Sequence, residues 1–405
     1  MKSALALLLT LTAVAASGAT LPGFRVEKLG GTSGFSTSLV IDSRGNIDYT
    51  TQDGSLFRFE NGTSTRLAGV TTEAISDSGL LGMALVDDNT AVVHYTTIGT
   101  TYDILSRIDL TTGAETVIHQ FACDIEVPER GSSAEHHGGN PTIGADGSIL
   151  VGIGDYAAGL IASLPQWNGG KIFRITPSGD VIQFSRGMRN PFDMIWDDKR
   201  QRVFVADNGA TIGDALFAIS EGANCGWPFS FGGRPPVDGV AQPVYDFAQT
   251  IAPTGMIALN GLNPQLRAGI LLGGFVSKAI HFIPDIDANP FPDPIVLIDH
   301  ETGPIIDIAQ SARGDILFTT GSAIYRLIVP MRGDCNGDGR LSSSDLDAFQ
   351  RELADAPEAT YAAQAGSFAG SWGCDANGDG VIDERDRAEV VRLTGPRRRA
   401  VRSGH

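Results

Sequence analysis

The sequence predicts an all-β fold, a six-bladed β-propeller, followed by a small α-helical domain resembling a pair of EF-hands. Three observations carry that expectation. From about Phe24 to Val329 short apolar runs alternate with polar turns. Glycine supplies 50 of the 405 residues, and Asp-Gly, Asn-Gly and Ser-Gly pairs recur between the runs, as hairpin turns require. Long amphipathic helical patterns are scarce before residue 340.

In chain order, residues 1–19 of MKSALALLLTLTAVAASGAT read as a secretory signal. Lys2 gives a positive start, Ala4 to Ala13 an apolar centre, and Ala13-Val14-Ala15 or Ser17-Gly18-Ala19 a small-residue cleavage site. A membrane anchor is the other reading, but the run is shorter than the roughly 20 residues a spanning helix needs. No later run is long and apolar enough to cross. The strand-like segments then follow: SLVIDSRGNIDYTT, SLFRFENG, GMALVDDNTAVVHYTT, SILVGIGD, KIFRITPSGDVI, RVFVADNG, GILLGGFVSKAIHFI and DILFTTGSAIYRL. Four-stranded sheets at about 40–50 residues each make six blades of residues 20–330. A β-sandwich of that length would be unusual. A boundary falls at Pro330-Met331-Arg332, a calcium module is expected over 331–395, and the basic tail 396–405 is expected to be disordered.

A formal charge of −17 argues against nucleic acid, whose phosphates call for a basic surface, and is compatible with calcium and neutral solutes. Four cysteines in an exported chain allow two disulfides. Cys335 and Cys374 occupy near-equivalent places in two similar segments, which pairs them and leaves Cys123 with Cys225. All three pairings remain open to sequence alone.

Those two segments share one spacing. The first places Asp334, Asn336, Asp338, Arg340, Ser342 and Asp345 at loop positions 1, 3, 5, 7, 9 and 12, and the second Asp375, Asn377, Asp379, Val381, Asp383 and Asp386. Side-chain oxygens, a backbone carbonyl at position 7 and glycine at position 6 are what calcium needs to gather six to eight hard ligands. Each loop leads into a helical pattern, LDAFQREL and RAEVVRL. Surface turns rich in Asp, Asn and Gly are the bland alternative, but two copies 41 residues apart speak against it. Asp at position 12 departs from ordinary EF-hands and resembles the dockerin type I repeat. That resemblance implies a cohesin-type partner; the cysteine pair could instead mark a self-contained, calcium-stabilised appendage.

From His136 to Gly226, residues suited to redox chemistry lie at successive strand ends: a base, a carboxylate able to orient it, a cation and a second carboxylate. The motifs SDSGLLGMAL (76–85), HHGGNPTIGADGSILVGIGD, GMRNPF, ADNGATIGD and GANCGWP occur in an order that resembles the glucose/sorbosone dehydrogenase family over about residues 70 to 330. The resemblance implies a six-bladed propeller with pyrroloquinoline quinone (PQQ) over its mouth, beside calcium. It implies that His136 is the base that takes the anomeric hydroxyl proton while hydride passes to the quinone. Asp155, 19 residues on, would orient that imidazole, and Arg189 would stabilise charge on the quinone oxygen. Asn190 and Asp214 would line the site, and the carbonyls of Gly209 and Ala210 would bind its calcium. Singly, each of these residues also reads as a turn or loop residue, and His137 has no role.

The chain also departs from the family pattern. Asn140 stands where an arginine is usual after the glycine pair, Ala210 replaces a proline, Ala215 an acidic residue, and Asp77 a cofactor-binding glutamine. The Arg-x-Arg that holds the cofactor's carboxylates reads Pro304-Ile305-Ile306 before Asp307. Lys278 lies near the family's cofactor-binding lysine, offset by a residue or two, and reads equally as a surface lysine. The expected function is a secreted PQQ- and calcium-dependent dehydrogenase of aldose-type sugars or related alcohols, passing electrons to an external acceptor. The other expectation is a non-catalytic propeller that binds protein or carbohydrate. No nucleophile elbow G-x-S-x-G and no dinucleotide fingerprint is present.

Overall fold

The computed structural model describes residues 20–395 apart from 22, 125, 127–133, 212, 231–234, 264, 267, 300–302, 356–358, 361–371 and 380. The predicted signal and basic tail lie outside the described residues. Five sheets arise from consecutive hairpins: blade I from residues 36–69, blade II from 80–122, blade III from 142–186, blade IV from 191–246 and blade V from 253–299. Blade III gains a fifth strand, Ala223–Asn224, parallel to Ser185–Arg186.

Blade VI is built from both ends of the propeller. Asp307–Gln310, Ile316–Thr319 and Ala323–Ile328 supply three strands, and Arg25–Gly31 pairs antiparallel with the last of them, Arg25 facing Ile328. This closure ties the first strand into the last sheet, so the ring has no free join. The innermost strands contact one another in a closed circle, blade I to II to III to IV to V to VI and back to I.

Each inner strand faces the axis, where side chains stitch the blades together. Asp193 accepts from the amides of Met256 at 2.7 Å and Met194 at 2.7 Å, and from Asn140 Nδ2 at 3.1 Å. Asp307 accepts from Ser38 Oγ at 2.9 Å and the Leu39 amide at 2.7 Å, while the Met83 amide donates to Ser38 Oγ at 3.3 Å. Burial and the nearby Asp307 push Asp193 well above the ordinary carboxyl range, and burial pushes Asp307 up to about 6. Asn140, the position where an arginine was expected, belongs to this ring rather than to the mouth.

The C-terminal module packs helix α1 (Ser343–Asp355) and helix α2 (Arg387–Thr394) over Cys335, Phe349, Cys374, Ile382 and Val390. It is docked on the propeller. Trp372 is buried edge-on between Phe24 at 5.3 Å and Phe282 at 5.7 Å between ring centroids. Gln265 Nε2 donates to the carbonyls of Trp372 at 2.7 Å and Asp375 at 3.2 Å. Phe24 immediately precedes the closing strand, so the module sits on the seam of the ring.

All four cysteines are buried free thiols, so neither expected disulfide is formed, and only two of them are neighbours. Cys335 and Cys374 are hydrogen-bonding neighbours in one core. The Cys123–Cys225 pairing is a misreading: Cys123 packs with Phe121 and Tyr156, Cys225 with Phe184 and Met188 in a separate cluster. Elimination failed because it assumed that every thiol has a thiol partner.

Replacing Trp372 with alanine removes the contact that seats the module. Trp372→Ala is expected to cost about 3–5 kcal/mol and to lower the calorimetric melting temperature of the propeller. An unchanged melting temperature would mean that the docking contributes nothing to closure.

Candidate active site at the propeller mouth

One end of the axis opens into a cavity of about 440 Å³, and residues from every part of the ring meet there. His136, Asp77, Arg189, Asn190, Gly209 and Asp214 line it, together with Phe35, Leu81, Phe275 and Ile306. Six of the residues singled out from sequence thus converge on one pocket.

The local backbone explains why the motifs are rich in glycine. His136 adopts φ 55° and Gly138 φ 88°, so the 136–140 loop folds flat against the end of strand Ile149–Ile153. A Cβ on Gly138 would collide with the Gly152 carbonyl, and one on Gly154 with the His136 carbonyl. That close approach brings His136 Nδ1 to 2.6 Å from Asp155 Oδ1. Asp155 is held in turn by Trp227 Nε1 at 2.7 Å and by the Ala157 amide at 3.0 Å. With Nδ1–H committed to the carboxylate, the lone pair resides on Nε2. The arrangement can accept a proton from a hydroxyl in the cavity.

Arg189 comes from the turn before blade IV. Asp207, buried and pushed up to about 7 by burial against the pull of the Arg189 and Asn190 amides, accepts from those amides at 3.2 and 2.8 Å. The Arg189 guanidinium donates to the carbonyls of Asn208 at 3.1 Å and Gly209 at 2.6 Å. Asn190 Oδ1 accepts from the Gly138 amide at 2.9 Å, linking this turn to the His136 loop. Asp214 is wholly occupied by amides of Gly209 at 2.9 Å, Ile251 at 2.7 Å and Ala252 at 2.8 Å. Asp77 receives the His136 amide at 3.3 Å.

Of the expected residues, Asp155 is buried and meets the cavity only through His136, and two others stay outside. Lys278 is exposed, and neither it nor Ala210 lines the cavity. Among the described residues, Arg189 is the only lysine or arginine that lines the cavity. Ile306, which lines the cavity, and Ile305 beside it in sequence are buried, so the segment that stands in place of the Arg-x-Arg is apolar. The residues present suit the reacting end of a quinone, where a base and a guanidinium stand together. Among the described residues they form no clamp for three carboxylates, and the Gly209 carbonyl accepts from the Arg189 guanidinium.

Sequence reasoning missed Trp227, Asp207 and the apolar wall of Phe35 and Phe275. The Asp in ADNG and the Trp in GANCGWP were visible, but nothing in their spacing revealed which loop each would meet.

The C-terminal loops form a second candidate site. In the first loop, Asp338, Arg340 and Ser342 amides turn onto Asn336, Asp338 and Asp345 oxygens at 2.9, 2.8 and 2.7 Å. Asp334 Oδ1 is buried without a partner, an oxygen that suits a cation. In the second loop, the Asn377, Asp379, Val381 and Asp383 amides are received by Asp386, Asn377, Asp379 and Asp386. Burial, with Asp375 and Asp379 nearby, pushes Asp386 up to about 6. Converging buried carboxylates of this kind fit calcium.

Fold and mouth together define a class: closed six-bladed propellers with a histidine–carboxylate pair at one end of the axis. The chain belongs to the glucose/sorbosone dehydrogenase family, whose model matches residues 37–328, and a dockerin type I domain matches residues 332–393. An uncharacterized protein of Synechocystis sp. is 27% identical over 194 residues, 39% of this chain; the match spans 47% of that protein, about half its length. The fold resembles the PQQ-bound form of aldose sugar dehydrogenase from Streptomyces coelicolor, 22% identical, with a TM-score of 0.65 over 75% of this chain and 98% of that one. It also resembles the apo-form of soluble aldose sugar dehydrogenase from Escherichia coli, 19% identical, with a TM-score of 0.66 over 75% of this chain and 99% of that one.

Two outcomes follow for solution experiments. Calcium is expected to raise the melting temperature, and the double variant Asp334→Ala, Asp375→Ala to lose most of that response in calorimetry. Asp207 gives a pH effect of defined sign. Between the unfolded carboxyl value near 3.8 and about 7, the folded chain keeps a proton that the unfolded chain has released. Rising pH therefore destabilises the wild type across that window, and its melting temperature should fall relative to that of Asp207→Asn between pH 4 and 7.

Proposed function

We propose that the propeller (20–330) is an extracellular dehydrogenase of aldose-type sugars or related alcohols, with the module at 331–395 as its calcium-binding anchor. The observation that carries this reading is the 2.6 Å His136–Asp155 pair at a mouth that also holds Arg189. His136 Nε2 takes the proton from the sugar hydroxyl, Asp155 holds the imidazole and balances the charge it gains, and Trp227 keeps Asp155 from turning away. Arg189 sets a positive charge beside the reacting centre. PQQ, when bound, supplies the two-electron sink, with Arg189 and Asn190 as the residues that would hold it; electrons leave to an external acceptor. The family membership and the aldose dehydrogenase fold support this assignment.

A second reading is a non-catalytic propeller that binds carbohydrate or protein. It is favoured by the apolar wall at Ile306 and Phe275 and by a guanidinium tied to backbone carbonyls. Losing two charge-assisted contacts to a tricarboxylate, each worth about 1.5–3 kcal/mol, weakens binding by orders of magnitude. In either case the dockerin match points to a cohesin-type partner and an extracellular setting. Among the described residues no helix is long and apolar enough to cross a membrane.

The test is reconstitution of the purified chain with PQQ and calcium, followed by dye reduction with a panel of aldoses. His136→Ala is expected to lower the rate by roughly 10²–10⁴, and Arg189→Ala to lower it with folding intact by circular dichroism. Sugar binding without quinone binding at micromolar concentrations would give the second reading its place.

A further inference from the structure

The residue after each member of the mouth pair turns inward to a common anchor. His137 follows His136 and Tyr156 follows Asp155, and both side chains are fully buried. His137 Nδ1 lies 2.9 and 3.1 Å from the two oxygens of Asp103, and Tyr156 OH donates to Asp103 Oδ2 at 2.9 Å. Thr96 Oγ1 adds a third donor at 2.8 Å. Asp103 belongs to the blade II strand Tyr102–Asp109, whereas both loops belong to blade III. Burial pushes the Asp103 carboxyl up, but the His137 imidazole and the other donors outweigh it and hold the group below the ordinary carboxylate range. It is a buried anion with every lone-pair direction in use.

The loops need such an anchor. His136, Tyr156 and Ala157 sit at φ 55°, 51° and 57°, a region that costs non-glycine residues about 1–3 kcal/mol each and persists only when neighbours over-determine it. Between the loops themselves the Tyr156 amide reaches the His136 carbonyl at 3.4 Å and the His137 and Tyr156 rings pack at 5.2 Å, so the pair at the mouth shares its support with Asp103. We propose that Asp103 is a positioning residue: from blade II it fixes the two blade III loops so that His136 and Asp155 meet. The inference rests on the assignment of His136 as the base. It adds a residue that touches neither substrate nor cofactor yet governs the alignment of the pair.

The full chain carries the experiment. In wild type the His136 Nδ1 proton, shared with Asp155, should give a far-downfield proton NMR resonance, assigned by its loss in Asp155→Asn. Asp103→Ala is expected to abolish or broaden that resonance and to lower kcat at least tenfold with KM changed less than about twofold, since a displacement near 1 Å costs roughly 10² in rate. Asp103→Asn, which keeps shape and acceptor oxygen but not the charge, should fall between. Tyr156→Phe and His137→Asn each remove one arm and should each weaken the signal, which keeps the test open if Asp103→Ala does not fold. A core control, Ile316→Val in blade VI, should leave the resonance unchanged. Folded Asp103 variants with an intact resonance would overturn the inference. So would stoichiometric zinc or copper in wild type that is lost with Asp103, because the Cys123 sulfur lies within 4.8 Å of the Asp103 and His137 ligand atoms. A chain that oxidises no sugar, yet whose resonance responds as stated, would remove the proposed reaction and leave the positioning role standing.

Discussion

The structure depends on a closed circle of inner strands joined at the axis by buried carboxylates. Among the described residues the inner strands of neighbouring blades share no ladder, only single backbone bonds such as Asn140 N to Phe192 O, so other acceptors serve the amides that face the centre. Asp193 and Asp307 do this by accepting amides from the next blade, Met256 and Leu39 respectively. Burial shifts both carboxyls upward toward the protonated form, and the nearby Asp307 adds to the shift of Asp193. The ring therefore trades electrostatic cost for fixed angles between blades, and those angles decide what meets at the mouth. His136, Arg189, Asp77 and Ile306 come from four different parts of the chain, and none could be aligned by local structure alone.

How much of this was legible in the sequence follows the same division. Alternation of apolar and polar residues and the turn glycines specify each hairpin, because that information is local. His136 and Asp155 were legible because the two glycine-rich motifs that carry them are adjacent strands of one blade. Trp227 and Asp103 were not: Trp227 reaches Asp155, and Asp103 the residues next to the pair, from beyond those strands, and the register between separate segments leaves no periodic trace. The closing strand Arg25–Gly31 was hidden for the same reason, since its partner lies about 300 residues away. Lys278 looked apt by order along the chain, yet the turn that carries it points to solvent.

The C-terminal module changes meaning once it is docked. Its two loops could be read from spacing, but Trp372 lies outside both and carries the contact with the propeller. Phe24 on one side of that indole immediately precedes the closing strand, and the Asp375 carbonyl held by Gln265 begins the second loop. Any cation that orders the loop would act on a segment joined directly to the closure of the ring. A partner binding the module would grasp a rigid extension of the propeller rather than a tethered bead.

The mouth separates two tasks that sequence resemblance joins. Proton transfer needs a base with its tautomer fixed, and that is present in full. Holding a polyanion needs several free cations, whereas the described lining residues offer one guanidinium, already bonded to two carbonyls, and two carboxylates, Asp77 and Asp214. Net charge there disfavours an anion, while Phe35, Leu81, Phe275 and Ile306 present apolar faces of the kind that pack against the C–H surface of a neutral sugar. Selection for a base in such a pocket makes sense for a polyhydroxylated, uncharged substrate. Any anionic cofactor must then bring calcium with it or owe most of its affinity to contact area, because the side chains alone leave its charge uncompensated.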